Sequence, residues 1–124
     1  MSAGDGAGSR ARIIRKPWGH EAVLFCEGRA RLKRLVIRRG ERLSLQYHRD
    51  KAEFSVVTKG CVRVEFAQKG AGHDYDYKAG ESFFVPDGVV HRITALQDAE
   101  IIELCAGSDK DIVRLEDQYG RVRQ

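Results

Sequence analysis

The chain has 124 residues, of which 42% are hydrophobic and 32% charged, and its formal net charge is +4. That length suits one domain rather than two, and a domain of this size can bury a core without disulfide staples. No apolar run approaches the roughly 20 residues of a membrane span, and Met1–Arg10 lacks the apolar segment of a secretory signal.

The reading in chain order starts with Met1–Arg10, which is Gly, Ala and Ser with one Asp. Residues 1–10 are expected to form a disordered tail and 11–124 the folded domain. Basic residues concentrate early, from Arg10, Arg12, Arg15 and Lys16 to Arg29, Arg31, Lys33, Arg34, Arg38 and Arg39. Such a concentration fits a solvated basic face, an anionic small molecule or nucleic acid. No helix-turn-helix, zinc-finger or RNP pattern accompanies it, so neither nucleic acid nor a membrane is expected as a partner.

Short β-rich runs follow: Glu21–Cys26, Ala30–Ile37, Arg42–His48, Glu53–Thr58, Cys61–Phe66, Tyr75–Tyr77, Ser82–Val85, His91–Thr94 and Ile101–Cys105. Between them lie turn signals such as Glu27-Gly28, Arg39-Gly40, Lys59-Gly60, Ala79-Gly80 and Pro86-Asp87-Gly88. Many short strands at this spacing predict an all-β sandwich or barrel. Cys61–Phe66 alternates cleanly, so one of its faces is wet. His73, in a Gly-rich stretch with Asp74 and Asp76, reads as a solvated turn. Asp109–Tyr119 reads as a short helical turn capped by Ser108 or Asp109. Cys26, Cys61 and Cys105 are odd in number, widely spaced and flanked by apolar residues. They are expected to be reduced thiols in the core of a cytoplasmic protein. Without a Cys-x-x-Cys pair, no thiolate zinc cluster is expected.

Two glycine-framed segments carry the chemistry. In Gly40–Gly60, Gln46 and His48 are two apart and share one face of a strand, and Glu53 opens the next strand. In Gly80–His91, Pro86 and Gly88 fix a turn and His91 begins the strand after it. If the sheet closes, these four side chains can meet inside a barrel mouth and hold a cation.

The two segments resemble the cupin motifs G-x5-[HQ]-x-H-x4-E-x6-G and G-x5-P-x-G-x2-H, with Ala95 where Asn often follows. Lys16-Pro17-Trp18-Gly19, Gly40–Gln46 and Asp111–Arg121 extend the likeness. They resemble the C-terminal cupin domain of type II phosphomannose isomerases, also called type II mannose-6-phosphate isomerases. The chain departs from that pattern at Arg49 and Asp50, where His is common, and at Phe54, where His is usual. Those enzymes usually carry an N-terminal mannose-1-phosphate guanylyltransferase domain. No Gly-rich nucleotide loop precedes Lys16, so a stand-alone isomerase domain is expected.

The resemblance implies a single cupin barrel (a double-stranded β-helix or jelly roll). It implies one divalent ion on Gln46, His48, Glu53 and His91. Zn²⁺ suits that set, with Mn²⁺, Fe²⁺, Co²⁺ or Ni²⁺ also compatible. Similarity to type I phosphomannose isomerases marks Lys33, Lys51, Glu103 and Arg114. In that scheme Glu103 carries the proton, Lys51 and Arg114 act with it, and Lys33 and Arg114 bind substrate. The implied reaction interconverts mannose 6-phosphate and fructose 6-phosphate through an enediolate. The alternative is a non-catalytic metal-binding cupin that binds a sugar phosphate or sugar nucleotide, or regulates a partner enzyme. A third reading, a dioxygenase, is disfavoured by Gln46 and the Asp111–Arg121 segment. An exposed edge strand favours a homodimer.

Overall fold

The computed structural model describes residues 11–68 and 71–122, with the side chains of Gln68 and Ala71 left aside. The expected tail over 1–10 lies outside them. Eleven strands run in order among the described residues: β1 Arg12–Lys16, β2 Gly19–Glu27, β3 Ala30–Ile37, β4 Leu45–Tyr47, β5 Ala52–Lys59, β6 Cys61–Gln68, β7 Ala71–Lys78, β8 Ser82–Val85, β9 Val90–Ala95, β10 Ala99–Ala106 and β11 Val113–Glu116. They form two antiparallel sheets, ordered β1-β2-β3-β10-β5-β8 and β11-β4-β9-β6-β7. The architecture is all-β, a jelly roll of two facing sheets whose ladders do not join into a closed ring.

The core is made by the facing sides of the two sheets, with Leu35, Ile37, Val57 and Ile101 from the first and Val62, Val64 and Ile93 from the second. Trp18, in the β1–β2 turn, anchors one end of it. Alternation along β3, β5 and β10 sends every second side chain inward. The inward residues change character along the strands. Leu35, Val57 and Ile101 are cross-strand partners, and two residues on, Lys33, Ser55 and Glu103 are partners in the same ladders. One side of the sheet is therefore an oily core at one end and a charged cavity at the other.

Four expectations are corrected. Asp109–Tyr119 is not a helical turn: Val113–Glu116 pairs with β4, and the backbone hydrogen bonds that a helix would need go into that ladder. Arg42–His48 is not a continuous strand, since only Leu45–Tyr47 is extended in a ladder, while Arg42 makes an isolated bridge to Thr94. His73 lies within β7 opposite Phe66, exposed on a strand rather than in a turn. Of the three free cysteines only Cys105 is in the core; Cys26 is exposed and Cys61 half-buried. β1 was not anticipated either. It hydrogen-bonds with β2 across the Pro17-Trp18 turn, from Arg12↔Val23 to Lys16↔Gly19.

Close approach requires several glycines, among them Gly60 and Gly107. At Gly60, between β5 and β6, φ is 75° and an added Cβ would lie 2.2 Å from the Asp98 carbonyl oxygen. At Gly107, φ is 147° and a Cβ would meet the Lys51 side chain at 2.9 Å. The second close approach lets the 108–112 loop cross over Lys51.

Candidate metal centre

His48 leaves β4, Glu53 lies on β5 and His91 on β9, and all three are buried. The Glu53 carboxylate stands between the rings, with Oε1 3.1 Å from His48 Nε2 and 3.6 Å from His91 Nε2. One ligand atom from each residue falls within 4.8 Å of the other two. Gln46 is buried, pairs with His91 in the β4–β9 ladder and accepts a hydrogen bond from Ser44 Oγ at 2.6 Å.

The outer ring nitrogens show whether a cation fits. His48 Nδ1 is 2.6 Å from the Asp111 carbonyl oxygen, and His91 Nδ1 is 3.0 Å from that of Val89. A carbonyl only accepts, so each Nδ1 carries a proton, and a ring without a second proton turns an Nε2 lone pair toward Glu53. Two lone pairs and a carboxylate then converge in a buried space. They repel unless both rings become buried imidazolium ions or one cation takes the place of those protons. Backbone carbonyls on the far nitrogens are the usual orienting partners of metal-binding imidazoles. The donor set therefore fits a divalent ion. Burial works against the charge of Glu53, but with protons on the two Nε2 atoms their hydrogen bonds, together with the His48 and Lys51 charges, outweigh it and hold the carboxyl well below its usual range; a bound cation would take the place of those protons.

The residues marked by resemblance gather at the same place. Lys51 Nζ is 3.9 Å from Glu53 Oε2. Glu103 points inward from β10, opposite Lys33 on β3. Burial, and then the Glu53 charge, push its carboxyl well above the ordinary range, against the pull of Lys33 and Lys51. Lys33 is 4% exposed, and its ammonium lies 2.5 Å from Asp109 and 3.7 Å from Glu21. Arg114 on β11 is half-buried opposite Gln46. All of these line one cavity of about 80 Å³. The cavity shares Ile112, Arg114 and Arg121 with an outer groove of about 600 Å³, whose remaining wall is Lys110 and Val113. Among the described residues the groove wall is cationic and apolar, with no carboxylate.

Arg49, Asp50 and Phe54, where the sequence departs from the resembling family, do not line the cavity. Arg49 and Asp50 form an exposed turn whose amides donate to the Asp111 carboxylate at 2.9 and 2.8 Å. Phe54 faces outward and is 48% exposed. Cys105 pairs with Glu53 across the β5–β10 ladder, and burial with the nearby Glu103 pushes its thiol up to about 12. With no cation beside it, it is therefore a thiol near neutral pH.

Sequence reasoning missed Glu21 and Asp109, which hold Lys33, the Asp111 carbonyl that orients His48, and Arg121 at the groove. Asp111 and Arg121 lay inside a segment already singled out by resemblance. Nothing local marked Glu21, which reaches the cavity only because β2 and β3 pair.

Two facing jelly-roll sheets with a His/Glu/His group buried at one end define a cupin. Oxalate decarboxylase from Bacillus subtilis superposes with a TM-score of 0.75 at 21% identity, covering 85% of this chain and 30% of that one. The capsular polysaccharide assembling protein CapF from Staphylococcus aureus gives 0.75 at 17% identity, covering 86% and 34%. The chain belongs to the mannose-6-phosphate isomerase C-terminal family, whose pattern matches residues 4–117. It is 34% identical over 116 residues to the alginate biosynthesis protein AlgA of Pseudomonas aeruginosa, covering 90% of this chain and 23% of AlgA. The figures for the mannose-1-phosphate guanylyltransferase ManC of Salmonella typhimurium are the same. It is 33% identical over 125 residues to the xanthan biosynthesis protein XanB of Xanthomonas campestris, covering 97% and 26%. The chain thus spans about a quarter of the length of the curated relatives it matches. Among the described residues, no helix is long and apolar enough to cross a membrane.

Proposed function

We propose that this chain is a metal-dependent isomerase domain that interconverts mannose 6-phosphate and fructose 6-phosphate, with one divalent ion held by Gln46, His48, Glu53 and His91. The observation that carries the reading is the position of Glu103. It is buried on the inward face of β10, opposite Lys33 and beside the Glu53 group, in a cavity that opens into a cationic groove. Two imidazoles, a carboxylate and an amide oxygen suit Zn²⁺ among the first-row divalent ions. A bound cation would supply positive charge for an oxygen that becomes negative during the reaction.

The chain's own residues supply the rest. Aldose–ketose isomerisation takes a proton from one carbon, passes through an enediolate and returns a proton to the neighbouring carbon. Glu103 is the carboxylate that takes and returns it. Lys51 lies beside Glu53 and, with Arg114, offers cationic hydrogen-bond donors to the enediolate oxygens. Arg114 stands where cavity and groove meet, so it can also reach the phosphate end, which the groove cations suit. Lys33, tied to Asp109 and Glu21, holds Glu103 and the cavity wall in position.

The names of the curated relatives favour a second reading: a non-catalytic metal-binding cupin that binds a sugar phosphate or nucleotide, or regulates a partner enzyme. A coupled assay separates the two. Metal-loaded protein is expected to convert mannose 6-phosphate and, in deuterium oxide, to place label at C1 or C2. Glu103→Gln is expected to lose about 10²–10⁴-fold in rate while keeping its metal. Absence of both isomerisation and exchange with Zn²⁺, Mn²⁺ and Co²⁺ would leave the binding module as the reading.

A further inference from the structure

We propose that the outer face of the six-stranded sheet is the contact surface for a second copy of this chain. Alternation on a sheet with one wet face places polar residues outward. On this sheet it does not. Phe25, Leu32, Leu104, Phe54 and Phe84 are direct cross-strand partners in turn, across β2, β3, β10, β5 and β8. They form one unbroken apolar ridge perpendicular to the strands. Phe25, Leu104, Phe54 and Phe84 are 55%, 52%, 48% and 53% exposed.

The ridge is large. A phenylalanine presents roughly 150–250 Å², so three half-exposed rings leave about 300 Å² of apolar surface before Leu104 is added. That already equals the largest patch on many monomers. Ile102 and Val56, partners of one another, extend it on one side. The patch ends there in the Arg34–Glu100 ion pair at 4.0 Å. A core of this size within a polar rim is the anatomy of an interface that buries about 800 Å² per partner.

The shape of the face selects the occupant. On the other side of the ridge, Ala30, Ala106 and Ala52 are cross-strand partners and form a shallow trough parallel to it. Consider a two-fold axis lying between two facing copies, parallel to the ridge and midway between ridge and trough. It sets the ridge of each copy over the trough of the other. The three central large side chains then meet alanines, with Leu32 over the partner's Ala30, Leu104 over the partner's Ala106 and Phe54 over the partner's Ala52. Such a surface is self-complementary, as a two-fold contact demands, and large-on-small interdigitation suits sheet faces packed about 10 Å apart. Glu53 and Glu103 alternate with Phe54 and Leu104, so the cavity lies on the opposite side of the sheet and pairing leaves it open. The contact is a sheet face, not the edge strand expected from sequence.

Sedimentation velocity on the full chain tests this. Wild type at micromolar concentration is expected at twice the 14.0 kDa chain mass. Leu104→Lys removes the middle of the ridge, and Ala106→Arg fills the trough without removing any apolar side chain. Each is expected to weaken association by about 100-fold or more, as loss of a central contact does. Both positions are exposed, so far-UV circular dichroism should match wild type. Tyr75→Ser, on β7 of the other sheet and 52% exposed, should leave the dimer intact. A monomeric wild type overturns the proposal, and so does a dimer that survives Ala106→Arg. If Leu104→Lys fails to fold, Ala106→Arg alone decides.

Discussion

Replacing Lys33 by Met tests how the cavity is held together. Methionine keeps most of the side-chain length but removes the ammonium, which lies 2.5 Å from Asp109 and 3.7 Å from Glu21 and sits opposite Glu103. Three carboxyl groups then face one another without their shared cation. Breaking one side of a buried ion pair costs about 3–5 kcal/mol. The Asp109 side chain is 37% exposed, and water screens that part of the loss, so about 2–3 kcal/mol is expected. For a domain of this length that corresponds to a fall in Tm of roughly 8–15 °C.

The pH dependence has a definite sign. Burial opposes the Lys33 charge, but Glu21, Glu103 and Asp109 outweigh it, so its folded value is raised above 10.5 and the ammonium persists throughout the neutral range. Asp109, despite burial, is held below 3.8 by Lys33. Its contribution is therefore complete above the unfolded carboxylate range and lost as pH falls through the depressed folded value. The share of the gap between wild type and Lys33→Met that Asp109 carries should hold through neutrality and be lost in acid. Asp109 also fixes the loop that carries the Asp111 carbonyl on His48, so the variant should bind metal more weakly. The assay is paired urea denaturation at neutral and acid pH, with a metal titration. A variant as stable as wild type at neutral pH would show that the network adds nothing.

Other outcomes are expected. Protein purified without chelator should carry about one equivalent of divalent metal, and His48→Ala and His91→Ala should each lose it in elemental analysis; wild-type content in both would refute the ligand assignment. Gly60→Ala should cost about 3 kcal/mol or more, since it combines a left-handed backbone with a collision against Asp98. Gly40→Ala, at φ 82° but facing open space, should cost only about 1–2 kcal/mol in the same thermal melts. With a thiol reagent at neutral pH, Cys26 should react in the native protein and Cys105 only on unfolding, because Cys105 is buried with its thiol pushed up to about 12; equal rates would contradict the burial.

Most of this fold is legible in the sequence because alternation and turn chemistry are local. Ala30–Ile37 and Ser82–Val85 are strands with the expected limits, and Gly60 stands between β5 and β6, Pro86 and Gly88 between β8 and β9. Two-residue spacing put Gln46 and His48 on one face for the same reason, while the full set with Glu53 and His91 came from the resemblance to the cupin motifs. Other features depended on which strands meet. β1 and β11 are extended because β2 and β4 offer them ladder partners, and nothing in Arg12–Lys16 or Val113–Glu116 alone distinguishes a strand from a loop or a turn. Within Ile101–Cys105 alternation left two equivalent directions for Glu103, and pairing with β3 and β5 selected the inward one. The Asp111 carbonyl on His48 joins residues 63 apart in the chain. The apolar ridge is built from single residues of five strands, each unremarkable in its own segment. Only the registers of four ladders bring them into line, and register is set by long-range pairing that no sequence window contains.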